Sequence, residues 1–193
     1  ASLMIVFLGC QSAPKYDIVI TNGRLIDPST NIDGIRNIGI NADTVASISV
    51  KPLQGIEVIN ATNKVVAPGF IDLHTHTPTA LGTHFQIKDG VTTSLELEAG
   101  AFPVHKYGGL IKDSAVNNYG ASVGYLSIRT KALEGREVVA LVSESGMVQP
   151  GRAFIHKATE SELFKIKELI NNGLDDGGIG IGLPLDYITS AVT

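Results

Sequence analysis

The sequence predicts an α/β protein in two unequal parts: a small antiparallel β unit, then alternating β and α segments of a parallel sheet or barrel. Three observations carry this. Between Tyr16 and Val66 the short β-type runs "YDIVITN", "GIRNIGI", "TVASISV", "IEVINA" and "KVVA" are separated by the turn-rich stretches "DPSTNIDG", "NAD" and "KPLQG", with no helical period of useful length. From Pro68 onward apolar runs alternate with helix-type segments, the pattern of a parallel sheet. One of those helices is announced by "TESE", where Thr159 can cap and Glu162, three residues on, can answer it.

In chain order, residues 1–14 stand apart. The apolar run 3–8 in "SLMIVFLGCQSAP" is far shorter than the roughly 20 residues that span a bilayer. Small residues follow it, which is the form of a secretory signal. "FLGC" resembles a bacterial lipoprotein signal, in which Cys10 would be lipidated and become the mature N-terminus, although Phe7 stands where Leu is usual and no basic residue precedes it. The competing reading is a buried N-terminal strand with an inert thiol. The lipoprotein reading implies the periplasm or cell envelope, with a lipid anchor at Cys10. The chain starts at Ala1, so a longer native start is expected. Cys10 is the single cysteine, which excludes an internal disulfide framework.

Residues 15–67 form the β unit and 68–193 the barrel-type part. "GFIDLH" reads as a buried strand and "TALGTHFQIKDG" as a short helix closed by Gly90. "VTTSLELE" is the next strand, "PVHKYGGLIKDSAV" a glycine-weakened helix, and "GASVGYLSI" a third strand. The stretch 130–158 is left unassigned. The helix from "TESE" carries the apolar stripe Leu163, Ile166, Leu169 and Ile170 and should end with Gly173 just past its last turn. "GGIGIGLPL" reads as a fourth strand.

The chemistry gathers at "GFIDLHTH", residues 69–76. On a strand, side chains at i and i+2 share a face. Phe70, Asp72, His74 and His76 would then lie on one side, with Ile71, Leu73, Thr75 and Thr77 on the other. Parallel strands of a barrel carry functional residues at their C-terminal ends. His74 and His76 end the first such strand, and "GVTTSLELEAG" ends the second in Glu96 and Glu98. Two neutral imidazoles and a carboxylate are a zinc ligand set that leaves a position for water. Alternation leaves open which glutamate ligates; Glu98, nearer the C-terminal end, is preferred. Both acids could instead lie on a solvated turn, but their strand is apolar, and burying unpaired carboxylates is costly. Asp72 could orient a ligating histidine through a hydrogen bond or simply bind backbone. Arg129 could hold a substrate carboxylate as a bidentate fork or pair with an acid. His84, His105 and His156 are read as surface or packing residues. The net charge of −4 offers no footprint for nucleic acid.

Taken together, "YDIVITNGRLIDPSTN", "KVVAPGFIDLHTH" and "DGVTTSLELEAG" resemble the amidohydrolase superfamily, and more narrowly its D-aminoacylase (N-acyl-D-amino-acid deacylase) branch. The resemblance covers residues 16–129 well and "GIGIGLPLDYI" more loosely. It implies an α/β fold of a small β-sandwich plus the first half of a metal-dependent (β/α)8 TIM barrel. It also implies hydrolysis of the amide bond of N-acyl-D-amino acids, with zinc (one or two divalent ions) as cofactor. The first-strand ligands map onto His74 and His76. Where many D-aminoacylases carry a cysteine ligand after the second strand, this chain offers Glu98. Where some relatives have a histidine in "GASVGH", this chain has Tyr125, and no role is carried over. The resemblance implies further histidine ligands and a catalytic aspartate on later strands, expected beyond residue 193, so the chain is expected to be an N-terminal portion. The alternatives are another amidohydrolase reaction, on a cyclic amide or as a deaminase, and a non-catalytic membrane-tethered fragment. Oligomeric state is not legible.

Overall fold

The structure, a computed structural model, describes residues 15–76, 79–109, 111–143 and 146–187. The signal and lipid-anchor expectations for residues 1–14 and Cys10 fall outside the described residues. The chain divides into two compact units, Ala1–Pro68 and Gly69–Thr193.

The first unit holds β1 (Tyr16–Asp27), β2 (Ile32–Asn41), β3 (Thr44–Ser49), β4 (Gly55–Asn60) and β5 (Val65–Val66). β1 is long enough to serve three neighbours. β2 runs antiparallel along it and β3 antiparallel to β2, whereas β4 and β5 lie parallel on its other side, along its first and second halves. β1 is irregular between Ile20 and Gly23. There Asn22 takes a positive φ of 60°, a conformation asparagine tolerates, and its N–H donates to Asn37 Oδ1 at 3.2 Å. Tyr16, Val19, Leu25, Ile38 and Ala61 are buried. One expectation is corrected here. The unit is a mixed sheet and not a wholly antiparallel one, because the chain crosses from β3 to the far side of β1. Its five strands make one sheet, on which Val45, Ile56, Val58 and Val65 are exposed.

The second unit contains β6 (Phe70–Asp72), α1 (Ala80–Lys88), β7 (Val91–Ala101), α2 (Val104–Gly109), β8 (Asn118–Gly124) and α3 (Tyr125–Glu134). There follow β9 (Val142–Ser143), β10 (Gly146–Met147), α4 (Arg152–Ile155), α5 (Glu160–Asp175), β11 (Ile181–Gly182) and a 3₁₀ turn at Leu185–Tyr187. β6, β7, β8 and β11 form one four-stranded sheet in chain order, every neighbouring pair parallel. Helices cross between successive strands. Sequential parallel order with helical crossovers is the construction from which (β/α) barrels are made. β9 and β10 form a small separate antiparallel pair.

Local sequence explains most boundaries. Thr79 caps α1 by accepting from Gly82 N–H at 2.9 Å, and Gly90 follows the helix at φ +85°. The Thr159–Glu162 capping box is formed at α5. The α2 helix covers only Val104–Gly109 of the longer segment expected, ending at its glycine pair. The third strand stops at Gly124, and "YLSIR" starts α3. Gly173 does not end α5. It lies inside the helix, where an added Cβ would approach Val123 Cγ1 to 2.6 Å, and Gly177 at φ +99° takes the terminal place. The fourth strand shrinks to Ile181–Gly182. The unassigned stretch supplies the end of α3, the small β pair and α4. Phe102, Val123, Ile128 and Ile166 form one buried cluster, and Leu126, Leu141, Ala153 and Phe154 belong to another. Among the described residues no helix is long and apolar enough to cross a membrane.

Candidate metal centre

His74 lies just beyond β6 and is joined to Glu96 of β7 by an isolated backbone bridge, while Thr75 N–H donates to Leu95 O at 3.3 Å. The opposite side of this segment is tied down by polar groups. Gln86 of α1 donates to Thr75 Oγ1 at 2.8 Å, and Asn117 donates to Gln86 Oε1 and to Ser94 Oγ, both at 3.3 Å. With Thr75 held behind, His74 and His76 project together to the other side. Their Nε2 atoms are 3.0 Å apart and their rings meet edge-on.

The carboxylates arrive by an irregularity in β7. Its pairing with β8 runs Glu96↔Ala121 and resumes only at Ala101↔Val123, so residues 97–100 bulge out opposite Ser122. Such bulges re-aim side chains. Ser122 Oγ donates to Leu97 O at 2.9 Å and to Glu96 O at 3.3 Å. Gly100 turns at φ +66°, where an added Cβ would fall 2.7 Å from Gly124 N and Ser122 O. The bulge sends the two glutamates to different atoms of the histidines. Glu96 Oε2 lies 2.5 Å from His76 Nδ1. Glu98 Oε2 lies 3.7 Å from His76 Nε2 and 3.8 Å from His74 Nε2.

Glu96 is buried, and its Oε1 also accepts from Ala99 N–H at 3.1 Å. Burial pushes its carboxyl up from the usual range, against hydrogen bonds from His76 and the Ala99 and Gly100 amides that pull it down. The Tyr107 hydroxyl is pushed up by its own burial and then by the Glu96 charge, so it stays protonated. Glu98 Oε2 is buried with no hydrogen-bond partner. An orphaned carboxylate oxygen is expensive unless a cation meets it. Ligand atoms about 2.1 Å from a tetrahedral ion lie about 3.4 Å apart, and the separations here are 3.0, 3.7 and 3.8 Å. The residues present therefore fit a divalent ion: His74, His76 and Glu98 are the His/Cys/Asp/Glu group among the described residues that could hold one.

The other expected residues go elsewhere. Asp72 Oδ1 accepts from the His74 backbone N–H at 3.0 Å, which sets the chain and not an imidazole ring. Arg129 lies on α3, is 1% exposed, and gives Nε–H to Ala153 O at 2.8 Å and an Nη2–H to His156 O at 2.7 Å. Its guanidinium also lies over the Tyr125 ring. These bonds tie α4 to α3, the structural one of the two roles open to this arginine. His105 pairs with Asp176 at 2.7 Å; His84 and His156 are exposed. Sequence reasoning missed the Glu96–His76 Nδ1 bond. The i+2 spacing of Glu96 and Glu98 announced a shared face, but not the bulge that assigns them different partners.

With two imidazoles and a carboxylate at the ends of successive parallel strands, on an alternating β/α frame, the chain is similar in fold to solved amidohydrolases, D-aminoacylases among them. N-acyl-D-glutamate deacylase from Bordetella bronchiseptica, solved with zinc and a phosphonate inhibitor, is 22% identical and matches 93% of this chain and 40% of its own, at a TM-score of 0.68. D-aminoacylase is 22% identical and matches 88% of this chain and 38% of its own, at a TM-score of 0.65. By sequence, the dihydroorotase of Solibacter usitatus is 43% identical over 60 residues, 31% of this chain and 14% of that protein. An uncharacterized protein of Mycobacterium tuberculosis is 36% identical over 87 residues, 42% of this chain and 14% of that protein. No protein-family profile matches the chain. The chain thus spans well under half the length of the relatives it matches.

Proposed function

We propose that the protein is a metal-dependent amidohydrolase that cleaves the amide bond of N-acyl-D-amino acids, with His74, His76 and Glu98 as zinc ligands. One observation carries this: Glu98 Oε2 is buried without a hydrogen-bond partner and faces both Nε2 atoms at 3.7 and 3.8 Å. A divalent ion, when bound, supplies the positive charge that polarises an amide carbonyl and acidifies water. The chain's own residues supply two imidazole lone pairs from the end of β6 and one carboxylate from the β7 bulge. Asp72 fixes the backbone that carries His74, and Gln86 and Thr75 brace the strand end from behind. The count of one or two ions belongs to the same proposal; a D-aminoacylase structure is described with a binuclear metal centre.

The substrate class is supported by the shared fold of two deacylases of N-acyl-D-amino acids. The match to dihydroorotase over 60 residues favours a second reading, hydrolysis of a cyclic amide. Elemental analysis tests the metal: near-stoichiometric zinc in the chain, lost in the His74→Ala/His76→Ala double variant, supports it, and a folded protein that takes up no zinc removes it. Release of carboxylate from N-acetyl-D-amino acids, assayed beside opening of dihydroorotate, separates the two substrate classes. Lipidation at Cys10, in the cell envelope, is part of the proposal; the mass of the N-terminal peptide, with and without Cys10→Ser, tests it.

A further inference from the structure

Glu96 has no place among the proposed ligand atoms, yet it is the more deeply buried of the two glutamates. Its side chain is 3% exposed and that of Glu98 27%. A carboxylate that deep is tolerated only when its oxygens are bonded, and both are: Oε2 faces His76 Nδ1 at 2.5 Å and Oε1 accepts from Ala99 N–H at 3.1 Å. The carboxylate cannot swing away easily, because its backbone starts the bulge that Ser122 Oγ clamps at Glu96 O and Leu97 O. With Glu96 as a carboxylate, which can only accept, the hydrogen of this contact sits on His76 Nδ1. A neutral imidazole with its proton on Nδ1 has its lone pair on Nε2. His76 Nε2 is the atom turned towards His74 Nε2 and Glu98 Oε2.

We infer that Glu96 is a positioning residue: its carboxylate fixes His76 as the Nδ1–H tautomer and holds the ring so that the Nε2 lone pair faces a divalent cation. The inference rests on the metal reading above. It divides the pair of acids by role, Glu98 meeting the cation and Glu96 setting the histidine. Asp72, open in sequence to orienting a histidine or to binding backbone, accepts from the His74 amide.

The test pairs two readouts on the folded chain. Histidine ¹⁵N spectra of the ion-free protein, with His76 assigned by its absence in His76→Ala, report the tautomer. Zinc titration calorimetry reports affinity. In the wild type His76 should be the Nδ1–H form. Glu96→Leu should release the tautomer to a mixture and weaken zinc by about 10- to 100-fold, the usual effect of losing a partner that orients a ligand. Glu96→Gln, which keeps one acceptor oxygen, should fall between. Glu98→Leu should weaken zinc while leaving the tautomer intact. A Glu96→Leu variant with its tautomer unchanged, or with wild-type zinc affinity, overturns the inference and leaves the metal reading standing. Zinc abolished by Glu96→Leu but retained by Glu98→Leu makes Glu96 the ligand and also overturns it. A wild type that takes no zinc sinks the metal reading and, with it, the role inferred for Glu96. If circular dichroism shows Glu96→Leu unfolded, the same two readouts on Glu96→Gln decide.

Discussion

A buried arginine is a structural commitment, and Arg129 shows its terms. Its Nε–H and an Nη2–H meet the Ala153 and His156 carbonyls, so it gives charged donors to backbone groups within and just after α4. Arg129→Met keeps the stem and removes both donors. Hydrogen bonds to charged groups contribute about 1.5–3 kcal/mol, so the variant should lose about 3 kcal/mol in urea denaturation while zinc affinity by calorimetry stays at the wild-type value. A change in metal binding without loss of stability would contradict this placement. Sequence made this residue look functional because a charge after an apolar run resembles a strand end. "YLSI" carries the apolar content of a strand, and only packing on both sides of α3 reveals the helix. His74 and His76 were legible for the opposite reason. Their period of two is a property of the backbone, independent of partners.

Elements show where local sequence is sufficient. The α5 capping box could be read directly from Thr159 and Glu162, because both partners lie within one turn. The structure adds a longer-range member: Arg152 Nη1 lies 2.6 Å from Glu162 Oε1. Hydrogen bonding from Arg152 and then from the Thr159 amide holds the Glu162 carboxyl down to about 2. Its folded value lies below its unfolded one, so its contribution is present above the usual glutamate range and is lost as pH falls towards 2. Denaturation midpoints of wild type and Glu162→Gln should therefore differ at pH 7 and converge as pH falls from about 4.5 towards 2. A constant gap across that window would show that the carboxylate charge is not what α5 uses. The β7 bulge is the contrasting case, since its register depends on Ser122 and Gly124 of β8. Gly100→Ala would force a Cβ to 2.7 Å from Gly124 N and Ser122 O at a positive φ. It should cost about 2 kcal/mol or more and weaken zinc together with stability. Gly109→Ala, with nothing within 4 Å, serves as the neutral control in the same denaturation series.

At the scale of the whole molecule, burial was the least legible property, and β6 shows why. "GFIDLH" has the composition of a buried parallel strand, yet Phe70, Ile71 and Leu73 are 64%, 61% and 57% exposed. A strand's burial is decided by what lies on both sides of it, and among the described residues β6 is an edge of its sheet, paired with β7. At the other edge Ile179, Ile181 and Leu183 are exposed as well. An apolar edge with unpaired backbone groups is a template for pairing with another chain. The chain should therefore self-associate as its concentration rises, and Ile71→Lys, which sets a charge on the β6 edge, should shift it towards monomer in sedimentation velocity. A wild type that sediments as monomer across the whole range would mean that the edge is covered in solution. The comparison also bears on the metal centre, because β6 leads directly into His74 and His76. If Ile71→Lys leaves zinc stoichiometry intact while reducing association, the ligands are assembled within one chain. If stoichiometry falls with the loss of association, the ordering of the histidines depends on a neighbour along β6, and the metal centre is a property of the assembled sheet.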